Sequence, residues 1–184
     1  LGLASISAYL TQQGIENDII DCYAHPDSDQ LIKEYLIREK PSYLGFSCTT
    51  SSFFDGIRIA ELAKKSVPDI KIVFGGVHVS SLKEYIQETF DIIDYTIVGE
   101  GEETLHELLT LPESDRTGIK GLVYRDPEGK AVFNGTRKKL LNLDSLPFPA
   151  YKKLAGYPEV YKLPIFNYPK TPNLFLFQHF SHPP

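Results

Sequence analysis

Apolar positions in the first 110 residues alternate between two rhythms. Leu3, Ile6, Tyr9 and Leu10 recur at helical spacing over residues 1–13, and Gly14 is the expected stop. Ile15 to Asp21 then reads as a strand. A second helix is predicted from a cap at Ser28 or Asp29, with Leu31, Ile32, Tyr35 and Leu36 on its apolar face and Pro41 beyond its end. Tyr43 to Ser47 is a buried strand that opens into the polar run Cys48-Thr49-Thr50-Ser51-Ser52. Phe53 to Ser66 is a third helix, stopped before Pro68, and Ile70 to Phe74 is a strand ending in Gly75-Gly76. Ser81-Leu82-Lys83-Glu84 has the form of a capping box for a short helix. Tyr95 to Val98 is a further strand, turning through Gly99-Glu100-Gly101 into a helix over Glu102–Thr110.

Strands separated by helical stretches of about 10 to 15 residues specify βαβ units and a parallel sheet. The tail adds one more apolar run, Asn173 to Phe180, followed by Ser181-His182-Pro183-Pro184. The N-terminus, Leu1-Gly2-Leu3, starts directly in a helical pattern. Joined tail to head, these ends read as the first strand–loop–helix step of a doubly wound domain recorded in permuted order. The expected fold is therefore α/β, a flavodoxin-like or Rossmann-like doubly wound sheet of five parallel strands. Its order would be 15–21, 173–180, 42–47, 70–74, 94–98, that is 2-1-3-4-5 with the first strand supplied by the tail. Beyond Pro112, alternating flanks around Asp126-Pro127-Glu128-Gly129 predict an added β-hairpin. The expected organisation is 1–112 plus 173–184 as the α/β domain, 113–140 as the hairpin appendage, and 141–172 as a Pro-rich strap or linker.

Composition narrows the function classes. A net charge of −5 with no Lys/Arg stripe argues against nucleic acid as the main partner. No apolar run approaches the roughly 20 residues of a membrane helix and no signal peptide is visible, so neither a membrane nor export is expected. Cys22 and Cys48 show no metal-type spacing and sit by strand patterns, which suits free thiols in a reducing cytoplasm. The sequence has no Met, as expected of a fragment or a rearranged chain.

In an open parallel sheet, ligands bind beyond the carboxyl ends of the strands. Four such ends are unusual here: 181–184, 47–52, 75–78 and 99–102. Each alone could be ordinary turn material; together they mark one rim. The hydroxyls of Thr49 to Ser52 suit a phosphate or a ring of amides. Gly75-Gly76 removes side chains where backbone would approach a flat ligand. Gly99-Glu100-Gly101-Glu102-Glu103 places three carboxylates at a helix start, which is favourable dipole placement in any case. No G-x-G-x-x-G follows a strand, so the dinucleotide fingerprint is absent.

The order of these elements carries a resemblance. Pro183-Pro184-Leu1-Gly2-Leu3, Gly45-Phe46-Ser47, Phe74-Gly75-Gly76-Val77-His78, Val98-Gly99-Glu100-Gly101-Glu102-Glu103, Gly121 to Arg125, and Asn142 to Pro149 occur in family order once the tail is moved forward. The chain resembles the N-terminal cobalamin-binding domain of radical S-adenosylmethionine enzymes, a group containing methyltransferases and cyclases. By that resemblance a corrin would lie over the strand ends, contacted by Ser47, Thr49, Thr50, Ser51, Gly75, Gly76, His78, Gly99, Glu100, Gly101 and Glu102. Its neutral peripheral amides suit hydroxyls, backbone and carboxylates.

Two family features are missing. The C-x-x-x-C-x-x-C motif for the iron–sulfur cluster is absent, so the cluster and S-adenosylmethionine would belong to a separate radical catalytic domain, and this chain would not be catalytic alone. The D-x-H-x-x-G motif for a lower cobalt ligand is also absent; Asp21 and His25 have the wrong spacing. His182 is the tail residue placed to supply such a ligand, against an ordinary solvated loop histidine, and His179 reads as a strand-end residue; no metal ligand is assigned. The alternative reading is a flavodoxin-like or receiver-like module binding a phosphate ligand or a partner protein. Asp21 ends a strand but lacks the paired acids a receiver needs.

Overall fold

The computed structural model describes residues 2–22, 28–138 and 143–157, with the backbone of 173–177. In chain order its elements are α1 (Gly2–Gln12), β1 (Asn17–Asp21), α2 (Ser28–Glu39), β2 (Tyr43–Ser47), α3 (Phe53–Ser66), β3 (Lys71–Gly75), α4 (Val77–Leu82), α5 (Glu84–Thr89), β4 (Tyr95–Ile97), α6 (Glu102–Thr110), β5 (Leu122–Arg125), β6 (Ala131–Phe133) and β7 (Asn173–Phe177). All seven strands join one sheet in the order β1-β7-β2-β3-β4-β5-β6.

Each strand shows alternate side chains to the two faces, and the core divides accordingly. Leu44, Phe46, Ile72 and Phe74 pack with α2 and α3, where the Phe46 and Phe74 rings stack at 4.6 Å. Tyr43, Val73, Tyr95 and Ile97 pack with α1 and α6 through Leu3, Ala4, Leu10, Leu105 and Leu108. Each fully buried Val, Leu, Ile or Phe side chain among them contributes about 1.5–3 kcal/mol. The result is a helix–sheet–helix sandwich, as the alternating pattern requires. Its helix starts and strand ends gather on one rim.

Local chemistry sets the boundaries. Gly14, at φ +79°, closes α1 with Gly14 N–H donating to Thr11 O and Ile15 N–H to Leu10 O, the pairing of a left-handed C-cap. Ser81 does not begin a helix, contrary to the capping-box expectation. It lies inside α4 and its hydroxyl donates to Val77 O at 3.0 Å. The chain re-enters helix after Lys83, at φ +49°, because α4 has already started at the glycine pair. In the hairpin, Asp126 Oδ1 accepts from the N–H groups of Glu128 and Lys130, as a polar turn demands.

The direction of the tail strand corrects the sequence reading. β7 lies between β1 and β2 but runs antiparallel to both, with Asn173 opposite Asp21 and Ser47, and Phe177 opposite Asn17 and Tyr43. The expected strand was parallel, delivering its C-terminal end to the rim and to Leu1. Instead its N-terminal end lies at the rim. An apolar five-residue run carries no sign of its direction, since strand ladders form in either sense; the preceding segment decides. β2, β3 and β4 pair in parallel, and β4, β5 and β6 are antiparallel, so the sheet is mixed. The hairpin extends this sheet from β4.

The strap is fastened along α1. Ala150 N–H donates to Ala4 O at 2.8 Å, and Lys153 Nζ donates to Asn17 O at 2.6 Å, Asn17 Oδ1 at 3.0 Å and Thr11 Oγ1 at 3.1 Å. Burial lowers the Lys153 pKa below the usual lysine range.

Candidate functional site

β2, β3 and β4 all end in small residues: Ser47, Gly75-Gly76, and the Gly99-Glu100-Gly101 turn after Ile97 and Val98. The space that larger side chains would fill is left open. Above these ends, between the first turns of α1 and α6, lies a cavity of about 400 Å³. Its floor is buried and apolar, formed by Leu3, Phe46, Val73, Val98 and Leu105. Exposed residues mark its mouth: Gly2, Gly99, Glu100, Thr136 and Lys138. Size and lining match the concave, mostly apolar pocket expected of a small-molecule site.

The two glycines of the β3 end do different things. At Gly75 a Cβ would meet nothing nearer than Phe46 O at 3.8 Å, so its missing side chain opens the cavity. Gly76 has φ +100° and ψ 176°, a region nearly reserved for glycine, and its Cβ would lie 2.7 Å from Cys48 O. Gly76 is required by the backbone crossing itself. Gly99 N–H donates to Ser80 Oγ at 3.1 Å, tying the next turn to α4.

The cavity gathers Ser47, Gly75, Gly76, Gly99, Glu100, Gly101 and Glu102 from the sequence-predicted set. Thr49, Thr50, Ser51 and His78 do not line it. They stand on the α3 side of the rim, and the hydroxyl run is largely folded on itself. Thr49 N–H donates to Ser52 Oγ at 3.1 Å, and the Thr49 hydroxyl lies 3.0 Å from Ser51 Oγ and 3.2 Å from Ser52 Oγ. This is a capping box on the 3-10 turn Thr50–Ser52, which leads directly into α3. The Thr50 hydroxyl lies 3.1 Å from His78 Nδ1, and the His78 ring packs 4.7 Å from Phe53.

Three lining residues had no signal in the sequence: Thr136, Arg137 and Lys138, which follow β6. Arg137 fixes their position. Its guanidinium reaches Glu103 at 3.0 Å, Glu107 and Thr104 Oγ1 at 3.0 Å, clamping this segment onto α6. Glu103 is therefore held at the helix start by both the macrodipole and an arginine. Glu102 is 7% exposed and faces the cavity.

Among the described residues, no group of three or more His, Cys, Asp or Glu is placed to hold a metal. Cys22 and Cys48 are free and buried, and burial pushes both thiols up to about 12. His25, His179 and His182 lie outside the described residues. No helix among the described residues is long and apolar enough to cross a membrane.

Comparison with known proteins agrees with this geometry. The chain is 31% identical over 156 residues to the uncharacterized methyltransferase PH0819 of Pyrococcus horikoshii, covering 84% of this chain and 34% of that protein. It is 31% identical over 113 residues to the cobalamin-dependent radical SAM methyltransferase TokK of Streptomyces tokunonensis, covering 60% of this chain and 16% of TokK. The chain thus spans about a third or less of these relatives. In structure it matches OxsB, a cobalamin-dependent S-adenosylmethionine radical enzyme solved with aqua-cobalamin and S-adenosylmethionine bound. That match has a TM-score of 0.66 at 23% identity, over 82% of this chain and 21% of OxsB, and establishes a shared fold. The B12 binding domain family model matches residues 1–109, more than half of the sequence, and the chain belongs to that family.

Proposed function

We propose that this chain is the corrinoid-binding module of a radical S-adenosylmethionine enzyme such as a methyltransferase or cyclase. The observation that carries this reading is the apolar cavity beneath a rim of glycines and carboxylates. Cobalamin is far larger than the ligands a 400 Å³ cavity encloses. Its macrocycle would therefore rest over the mouth, while the flat aromatic base of its tail suits the slot. Gly75 and Gly99 let backbone approach the corrin, and Ser47, Glu100 and Glu102 offer acceptors to its amides. Thr49, Thr50, Ser51 and His78 would contact only parts of the cofactor extending across the rim toward α3. Gly76 and Gly101 shape the cradle rather than bond to the ligand.

Cobalamin, when bound, supplies a cobalt centre for one-carbon or radical chemistry. This chain's residues bind and orient it. The iron–sulfur cluster and S-adenosylmethionine would be held by a radical catalytic domain, the partner of this module. We also propose that residues 113–140 act as an appendage completing the cavity wall and 141–172 as the strap between units. A reducing cytoplasm suits the two buried thiols, and the net charge of −5 speaks against a nucleic-acid or anionic-membrane partner.

Titration with hydroxocobalamin, followed by its visible spectrum, tests the reading. Saturable binding to the wild-type chain is expected, with affinity reduced roughly tenfold or more in Gly75→Val. That substitution fills the slot while meeting only ordinary van der Waals contacts around its Cβ. A chain that ignores cobalamin but takes up flavin mononucleotide would move the assignment to the flavodoxin-like alternative.

A further inference from the structure

We infer that Lys138 is a specificity residue, selecting corrinoids that carry an anionic phosphodiester tail over those that lack one. The inference rests on the corrinoid reading above and adds the basis on which the module would distinguish one corrinoid from another.

The cavity has a buried apolar floor and an exposed mouth, so a tail with its aromatic base in the floor must cross the mouth to reach the macrocycle outside. In cobalamin the crossing segment contains a phosphodiester, and the mouth is where its charge must be accommodated. Two carboxylates already line the cavity, Glu100 at the mouth and the buried Glu102. Both would repel that charge.

Two cations line the same cavity, Arg137 and Lys138. Arg137 is committed: its side chain, 19% exposed, is shared among Glu103, Glu107, Thr104 and the carbonyl of Lys120. No described hydrogen bond or ion pair engages Lys138. It is exposed at the mouth, next in sequence to the clamp, which holds its backbone against α6. The Arg137 clamp thus acts at a distance from the ligand, and Lys138 at the ligand itself. A lysine ammonium is a compact point charge on a flexible stem, suited to a phosphate oxygen whose position is set by groups on either side.

The segment also explains its own place in the chain. Residues 136–138 follow the hairpin and lie beyond the 1–109 stretch matched by the family model. The α/β unit supplies floor, glycines and acceptors; the hairpin delivers the missing positive charge. Without Lys138 the apolar slot would still take the aromatic base, but the mouth would offer the phosphodiester two carboxylates and no free cation.

The test compares two probes, hydroxocobalamin and dicyanocobinamide, which lacks the phosphodiester and the base. Each is titrated by visible absorption into wild type, Lys138→Glu and Lys138→Arg at low and at moderate salt. Wild type is expected to prefer cobalamin. Lys138→Glu should weaken cobalamin roughly tenfold with less than about twofold change for cobinamide, and Lys138→Arg should keep the preference. Added salt should narrow the preference in wild type and, by screening the new repulsion, recover part of the cobalamin affinity lost in Lys138→Glu. Thermal melts confirm that each variant folds, as an exposed position allows. Equal losses for both probes, or none, overturn the inference while leaving corrinoid binding intact. A wild-type chain that binds neither probe overturns the corrinoid reading and this inference with it.

Discussion

Cys22 and Cys48 are 3% and 1% exposed, one after β1 and one after β2, and burial holds their thiols protonated up to about 12 against an ordinary 9.0. The folded chain therefore keeps two protons that the unfolded chain releases once pH passes 9. Stability from this source is complete below pH 9 and falls as pH climbs from there toward 12, by up to about 1.4 kcal/mol per pH unit for each thiol. Tyr35 and Tyr95, raised by burial, act in the same direction, and Lys153, lowered by burial, opposes them. Both thiols should resist iodoacetamide at pH 8 and label promptly in denaturant, and urea midpoints should drop above pH 9. Prompt labelling of the folded chain at pH 8 would refute this account. The candidate site divides along the same line of burial and backbone geometry. Gly75, Gly99 and Glu100 stand out in the sequence because small and acidic residues after a strand are visible as a motif. Thr49 and Ser51 looked alike in sequence, yet their hydroxyls are consumed by a helix start. Whether a hydroxyl faces a ligand or its own cap is decided by the local turn it sits in, which residue type does not encode.

At the scale of elements, the Arg137 clamp joins the segment after β6 to the outer face of α6. Arg137→Ala would leave Glu103 and Glu107 facing one another and Thr104 with one partner fewer. A cost on the order of 1–3 kcal/mol is expected, since hydrogen bonds to charged groups exceed neutral ones. Urea denaturation measures it, and amide exchange should show the loss concentrated over 134–138. A variant as stable as wild type, with unchanged exchange there, would show the clamp to be an idle surface pair. The elements themselves were legible where periodicity and stop signals agree. Phe53–Ser66 and Glu102–Thr110 carry a clear apolar stripe between polar starts and helix-ending residues, and both occur as read. The α4–α5 break was not, because Ser81 and Glu84 satisfy a capping pattern that a helix already under way overrides.

At the scale of the whole molecule, β7 is where, among the described strands, position and direction part company. Two disulfide tests separate the directions. With Cys at 21 and 173, whose Cα atoms are paired across the ladder, oxidation should give an intramolecular bond. With Cys at 21 and 177, four residues along the strand from that partner, it should not. The reverse outcome would restore a parallel tail strand. The sheet's layering was readable because both faces of each central strand are apolar, as a doubly wound fold demands. Long-range direction was not, because no local propensity records where a distant segment enters.

The insertion of β7 also bears on how the chain reaches this state. Gly45 and Phe175 are paired although far more than a hundred residues separate them, and Ile19 and Phe175 still more. Such contacts reward folding only after a long loop has closed, and topologies rich in them fold slowly. During synthesis β1 and β2 emerge early and wait, each with an open edge toward the gap between them. Open edges are templates for pairing with other chains. The same strand that completes the sheet therefore makes its closure slow, and leaves the facing edges of β1 and β2 exposed to misassembly until it inserts.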